Sequence, residues 1–293
     1  MGQDKLEGGR RIDSQERAVD PSLPVVTIVT PVFNGARYLE QTLVSLHSQG
    51  YPNLEHIVMD GGSTDETLSI LRRWSDRIAY WRSEPDLGMY DALTKGFAVS
   101  TGEILGWLNA DDMHTPWCLR VLATVFRDPK VQWVTGISSI WTTDGVNCGL
   151  PLVARVFPRT LIRLGLYHGQ SLGYIQQEST FWSRALWERA GGLDPSFRFA
   201  GDYHLWKSFA KVERLYTVNC LLAGFRRHEA QLTHSPEGYI AELGKDVNHF
   251  SRLLKHARYF LIAATSLLLR SSYILRYDPA REVQQKDAMH ANH

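Results

Sequence analysis

No apolar run in this sequence reaches the roughly 20 residues that span a bilayer. The longest, Tyr259 to Leu269, is interrupted by Thr265 and Ser266 and closed by Arg270. Cysteine is scarce: Cys118, Cys148 and Cys220 are odd in number, widely spaced and without a C-x-x-C pair. That pattern suits a reducing compartment, argues against a zinc site and leaves the three as ordinary core residues. A charge of one sign is also missing. With 32 Lys and Arg against 31 Asp and Glu the formal charge is +1, so no global field points to nucleic acid. The G-x-G-x-x-G run of a dinucleotide oxidoreductase is absent, and Asn34-Gly35-Ala36-Arg37 is a poor match to the basic phosphate loop of a nucleotidyltransferase. There is no internal repeat and no low-complexity tract.

What is present is a 293-residue chain, 44% apolar, enough for one large α/β core with an appendage. Residues 1–23 are rich in Asp, Glu, Arg, Gln and Gly and lack an apolar h-region, so they read as a mobile, solvated tail and not as a secretory signal. Residues 24–235 form the main domain and 236–293 a helical C-terminal extension. From Val25, short β-branched runs alternate with longer amphipathic segments, the rhythm of parallel strands joined by crossover helices. Strands are expected at Val25 to Thr30 (closed by Pro31), Leu54 to Met59, Ile78 to Arg82, Glu103 to Leu108 and Val131 to Ile137. Helices are expected at Ala36 to Ser48, through Leu68, Leu71 and Trp74 with Ser63 or Thr64 as cap, at Met89 to Val99 and after Pro116. Beyond residue 140 the rhythm loosens, and helical pattern returns at Ser183 to Ala190, Asp202 to Ala210 and Glu237 to about Arg276.

The most informative stretch is Ile104-Leu105-Gly106-Trp107-Leu108-Asn109-Ala110-Asp111-Asp112, a buried-strand pattern that ends in two adjacent carboxylates. The carboxyl end of a parallel strand is where open α/β sheets hold ligands. Paired acids there call for a cation, and a divalent metal escorting a phosphate is the leading candidate. Two further clusters follow strands. In Thr30-Pro31-Val32-Phe33-Asn34 an aromatic ring and small polar groups could bind a nucleobase, or Asn34 could simply cap a helix. In Asp60-Gly61-Gly62-Ser63-Thr64-Asp65 the glycines admit a ligand and a carboxylate can accept a base N–H or a ribose hydroxyl. Asp202 stands at the start of an amphipathic helix, as an N-cap or as a general base. Arg226 and His228, ahead of a loop with Gln231, Thr233 and His234, could clamp a diphosphate or ligate a metal.

Taken in order, Pro31-Val32-Phe33-Asn34, Asp60 to Asp65, Asn109-Ala110-Asp111-Asp112, Gly192-Leu193-Asp194 with Gly201-Asp202-Tyr203-His204-Leu205-Trp206, and Arg227-x-Glu resemble the family 2 glycosyltransferases over roughly Val25 to Ser235. The resemblance implies a GT-A fold, a Rossmann-like mixed sheet flanked by helices. It also implies a UDP-, GDP- or dTDP-sugar donor, Mg²⁺ or Mn²⁺, and inversion at the anomeric carbon. By position it makes Pro31, Phe33 and Asn34 the lining of the nucleotide pocket and Asp60 the partner of the base. Asp86 and Lys95 complete the nucleoside and donor-sugar site, and Gln176, Gln177 and Glu178 fall among acceptor or donor-sugar contacts. Asp111 would touch ribose or sugar, Asp112 and His228 the metal, Arg226 the departing diphosphate, and Asp202 would be the base.

Two positions depart from the pattern. Asn109 stands where an acid is common, removing a charge from the metal neighbourhood, and Gly201 stands where Glu often precedes the base. The Gln-x-x-Arg-Trp signature of processive synthases is absent, so a single-addition transferase of polysaccharide or glycolipid assembly is expected, acting on a sugar or lipid-linked acceptor. A non-catalytic sugar-nucleotide-binding module is the alternative. The expected place is the cytoplasm. The extension, with Phe250, Leu253, Leu254, Phe260 and Leu261 among Lys255, Arg258 and Arg270, could pack on its own domain, on a partner's helix, or on the inner face of the plasma membrane.

Overall fold

The computed structural model describes residues 6–13, 19–149, 154–229, 236–247 and 249–277. Its centre is a nine-stranded mixed sheet in the order β1 (Leu6–Gly8), β4 (Tyr80–Ser83), β3 (Leu54–Asp60), β2 (Val26–Val32), β5 (Ile104–Trp107), β10 (Thr180–Ser183), β7 (Trp133–Thr135), β11 (Tyr216–Val218) and β13 (Ile274–Leu275). Four parallel strands form its first half: β2 (Val26–Val32), β3 (Leu54–Asp60), β4 (Tyr80–Ser83) and β5 (Ile104–Trp107). Every residue of β2, β3 and β5 is buried, so none of the three alternates between apolar and exposed polar positions, and the polar Glu55, His56 and Asp60 of β3 are buried with the rest. The crossovers are α1 (Ala36–His47), α2 (Thr67–Arg73) and α3 (Met89–Ala98). Successive strands move outward from β2 to β4, and α3 then carries the chain back to β5 on the other side of β2. The resulting switch point opens a crevice at the carboxyl ends of β2 and β5.

The first strand runs through Pro31 and does not close before it. Val25 and Val29 carbonyls accept from Ile104 and Leu108 N–H, so odd-numbered residues of this strand face β5, whose pairing with β2 ends at Val29. Pro31 is the next odd residue, on a side with no neighbour to receive an N–H. The cap of α2 also differs from expectation: Asp65 accepts from Thr67 N–H and, across the turn, from Ala36 N–H at the start of α1, both at 3.0 Å. Within the stretch expected as a solvated tail, β1 (Leu6–Gly8) pairs antiparallel with β4. Gly8 has the Trp81 indole where a Cβ would sit and Gly9 has φ +104°, so this docking needs both glycines.

The second half of the sheet turns mixed. Strand β10 (Thr180–Ser183) lies antiparallel between β5 and β7 (Trp133–Thr135), and β11 (Tyr216–Val218) runs parallel to β7. The extension expected to be helical contains α8 (Pro236–Leu243), α9 (His249–Leu268) and α10 (Arg270–Tyr273), but among its described residues it also contains β13 (Ile274–Leu275), which adds to β11. A small second sheet, absent from the sequence reading, is built from β6 (Met113–His114), β12 (Ala223–Arg226), β8 (Ile140–Trp141) and β9 (Asn147–Gly149). Cys148 in β9 is exposed, unlike the core residue expected, whereas Cys118 is buried on α4 (Cys118–Val125).

An aromatic cluster ties the two halves together. Trp206, on α7 (Gly201–Val212), stacks on Trp107 of β5 at 5.9 Å and on Trp133 of β7 at 5.6 Å, with Trp182 of β10 edge-on at 5.7 Å. Each such pair adds about 0.5–1.5 kcal/mol beyond the area it buries. The cluster therefore fixes α7 against the strand that leads to Asp111. Trp206→Ala should lower stability in denaturant unfolding by about 3–5 kcal/mol, and a change under about 1 kcal/mol would show that the helix is held by other contacts.

Candidate active site

Register places the sequence-predicted acids on one edge. Val32, Asp60 and Ser83, the last residues of β2, β3 and β4, are direct neighbours. The Asp60 carboxylate is 2% exposed and accepts from Ser83 Oγ at 2.6 Å, from Ser63 N–H at 3.1 Å and from Ser63 Oγ. Asn34, at φ +49°, links the neighbouring loops: its N–H donates to Ser63 Oγ at 2.7 Å and its Oδ1 accepts from Thr64 N–H at 2.9 Å. A Cβ on Gly61 would stand 2.8 Å from the Asp86 carboxylate, so the glycine permits that approach. Burial pushes the Asp86 carboxyl up from its ordinary value. Phe33 presents an open ring, 65% exposed, at the mouth, whereas Pro31 is buried in the strand. Lys95 is engaged by Asp91 at 2.9 Å and Glu84 at 3.4 Å, an ion-paired cluster on the β4 side of the crevice.

The two aspartates after β5 have different surroundings. Strands β6 and β12 pair Met113 with Gly224 and His114 with Ala223, which brings Asp112 beside the Phe225–Arg226 end of β12. Asp112 Oδ1 accepts the Arg226 N–H at 2.9 Å and the side chain is 1% exposed. Asp111 keeps 30% exposure, and its Oδ2 lies 2.8 Å from His228 Nε2. The sequence assigns Asp112 and His228 to the metal and Asp111 to ribose or sugar; in the fold His228 meets Asp111, and Asp112 faces inward. Arg226 also departs from expectation. Its guanidinium is fully buried, donating to Gln41 Oε1 at 2.6 Å and the Thr143 carbonyl at 3.0 Å and lying 4.7 Å over the Tyr38 ring. It cannot clamp a diphosphate from there; it holds the strand that presents His228, whose ring stands 4.7 Å from Tyr38.

Asp202 belongs to the first turn of α7 and is no N-cap, since Ala200 holds that position. Its Oδ1 accepts from Tyr203 N–H at 2.7 Å and from the Tyr90 hydroxyl at 3.3 Å. Burial pushes its carboxyl up to about 6, against the pull of those two bonds. Gly201 packs so closely on Tyr90 that a Cβ would sit 2.8 Å from the ring, which leaves no room for the Glu often found before the base. Glu242, from α8, accepts three successive N–H groups ahead of α7: Arg198 at 2.8 Å, Phe199 at 2.9 Å and Ala200 at 2.7 Å. A carboxylate at that end also suits the helix dipole.

Because β10 is antiparallel, its beginning reaches the edge where β5 ends, and the 3-10 turn Gln177–Ser179 brings Glu178 into the site. Glu178 is 3% exposed; burial, reinforced by the Asp111 and Asp202 carboxylates, pushes it up to about 8. Burial and the same neighbourhood raise Asp112 well above the usual carboxylate range. Gln176 and Gln177 are committed to backbone: Gln176 exchanges two bonds with Ser139, and Gln177 donates to the Trp107 carbonyl at 2.6 Å. Tyr90 and Glu242 escaped the sequence reading because each carries an unremarkable helical pattern far from Asp202 along the chain. Gln231, Thr233 and His234 lie outside the described residues.

Among the described residues no three His, Cys, Asp or Glu side chains are placed to hold a metal by themselves. The donors that are present, a partly exposed Asp111 oxygen beside a His228 nitrogen, fit a cation that draws its remaining ligands from phosphate oxygens and water.

Comparison with known proteins agrees with this architecture. The profile described as Glycosyl transferase family 2 matches residues 27–172. An uncharacterized glycosyltransferase of Mycobacterium tuberculosis is 31% identical over 209 residues, covering 70% of this chain and 76% of that one. The structure of the mannosyltransferase PcManGT from Pyrobaculum calidifontis in complex with GDP-Man and Mn²⁺ is similar at a TM-score of 0.55 and 23% identity, over 95% of this chain and 84% of that one. S. aureus TarS in complex with UDP-GlcNAc is similar at 0.56 and 16%, over 82% and 72% of the two chains. At these identities the structural likeness establishes the GT-A fold.

Proposed function

The chain belongs to glycosyl transferase family 2, and on that premise we propose that it moves a single sugar, with inversion, from a nucleoside diphosphate sugar to an acceptor hydroxyl in cell-surface polysaccharide or glycolipid assembly. The observation that carries the proposal is the placing of Asp111 after β5 and Asp202 on α7 on either side of the buried Glu178, near enough that both act on its carboxyl. Asp60, Asn34, Phe33 and Asp86 would hold the nucleoside beside them. Asp111 and His228 would hold Mg²⁺ or Mn²⁺, which when bound neutralises charge building on the leaving diphosphate.

In the proposed step the Asp202 carboxylate takes the proton of the acceptor hydroxyl. The acceptor oxygen then bonds to the anomeric carbon from the face opposite the diphosphate, and the bond from that carbon to the diphosphate oxygen breaks. Asp202 suits this work because a base raised to about 6 is ionised at neutral pH yet a better proton acceptor than an ordinary carboxylate. Tyr90 and Glu242 position it, one through the carboxylate and the other through the backbone ahead of α7. Glu178 stands where its carboxyl can exchange a hydrogen bond with a hydroxyl of donor or acceptor.

Incubating the full chain with UDP-, GDP- and dTDP-sugars and Mn²⁺ should release a nucleoside diphosphate from one donor class, at least as slow hydrolysis. Donor binding in a thermal-shift assay without any release from any of them would favour the non-catalytic binding module instead.

A further inference from the structure

We propose that α9 and α10 form a docking face for an anionic lipid bilayer, laid flat on the surface with α9 in the plane of the interface. One side of α9 is committed to the domain: Leu254 and Leu261 pack on the main core, and Ser266 Oγ accepts from Val156 N–H at 3.3 Å. The opposite side faces solvent and is apolar. Leu253, Phe260 and Leu267 recur every seven residues, two helical turns, and are 59%, 75% and 70% exposed. Ala257 and Ala263 fill the same face between them, and Tyr259 and Leu268 widen it at 75% and 80%. On a helix of 20 residues this stripe, from Leu253 to Leu268, runs over about 22 Å. That length suits lying on a membrane, while no helix among the described residues is long and apolar enough to cross one.

Charge identifies the occupant. In a chain of net charge +1, residues 247–277 hold five Lys or Arg and no Asp or Glu. Lys255, His256, Arg258 and Tyr259 line, with Gln170, a groove of about 650 Å³ beside the apolar stripe. A second copy of the chain docked on this face about a two-fold axis would set the same basic groups against each other without an acid between them. A surface that offers both hydrocarbon and negative phosphate answers the stripe and the groove together. Gln170 sits in the hairpin closed by the His168 and Tyr174 bridge, and Tyr174 lies near enough to Asp202 to sense its charge. Docking there would bring the Asp202 side of the cleft toward the membrane.

Flotation of the full chain with vesicles tests this. With phosphatidylcholine containing about one third phosphatidylglycerol the chain should float in about 0.05 M salt and largely detach in about 0.5 M salt. It should stay unbound to phosphatidylcholine alone. Lys255→Gln with Arg270→Gln should weaken partitioning roughly 30-fold, the loss of two charges near an anionic surface. Phe260→Glu with Leu267→Glu should weaken it at least about tenfold. Both positions are exposed, so unchanged circular dichroism is expected and keeps the comparison valid. No flotation with the anionic vesicles, or equal flotation of wild type and both double variants, would overturn the proposal. So would a dimer in light scattering that Phe260→Glu with Leu267→Glu dissolves, since a second copy would then own the face.

Discussion

Asp202→Asn should lower kcat by about 10²–10⁴-fold, the span that a positioned general base contributes. Donor affinity, by titration calorimetry with Mn²⁺, should stay nearly unchanged. The substitution keeps the volume of the side chain and an oxygen to accept from Tyr203 N–H at 2.7 Å, so the turn of α7 survives while the proton acceptor is lost. A carbonyl oxygen of an amide does not titrate in this range and cannot hold the acceptor proton. Loss of donor affinity in parallel with turnover would instead place Asp202 on the donor sugar. Wild-type turnover would remove it from the chemistry.

The second large effect separates the adjacent aspartates. Asp111→Asn should lower kcat/KM by about 10²-fold or more, because a cation's stabilisation of a leaving diphosphate amounts to several kcal/mol. It should also abolish the gain in donor affinity that Mn²⁺ gives the wild type. Asp112→Asn should cost far less. Asn retains the oxygen that accepts Arg226 N–H at 2.9 Å, and the buried side chain presents little to a ligand at 1% exposure. Calorimetry of the two variants with and without Mn²⁺ checks the assignment, and a larger loss from Asp112→Asn would restore the order read from the sequence.

That order could not be read from sequence for a specific reason. Successive residues after a strand end point in different directions, and which of two aspartates faces the cleft depends on the partner strand. Here the partner is β12, more than 100 residues away, whose two-residue counterpart β6 is too short to show any periodicity. The same long-range register buries Arg226, whose neighbours in sequence look like an exposed basic loop. Strands β2, β3 and β5 were legible because apolar and β-branched residues cluster in short stretches bounded by turn chemistry, even though β3 also buries Glu55 and His56. Asp60, Asp111 and Asp202 were legible as acids at element ends. Tyr90, Glu178 and Glu242 were not legible as tuners of the site, since their effect comes from burial and from backbone groups that only the folded chain brings near.

Asp202 as the base stands at the centre of this account, and the pH dependence of kcat/KM tests it most directly. Asp202 must be ionised to act, so the rate should rise with pH and level off above an apparent pKa near 6, set by burial of that carboxyl. In Asp202→Asn the rising limb should vanish along with most of the rate. A wild-type profile flat from about pH 5 to 8, or a limb near 6 that persists in the variant, would contradict the assignment.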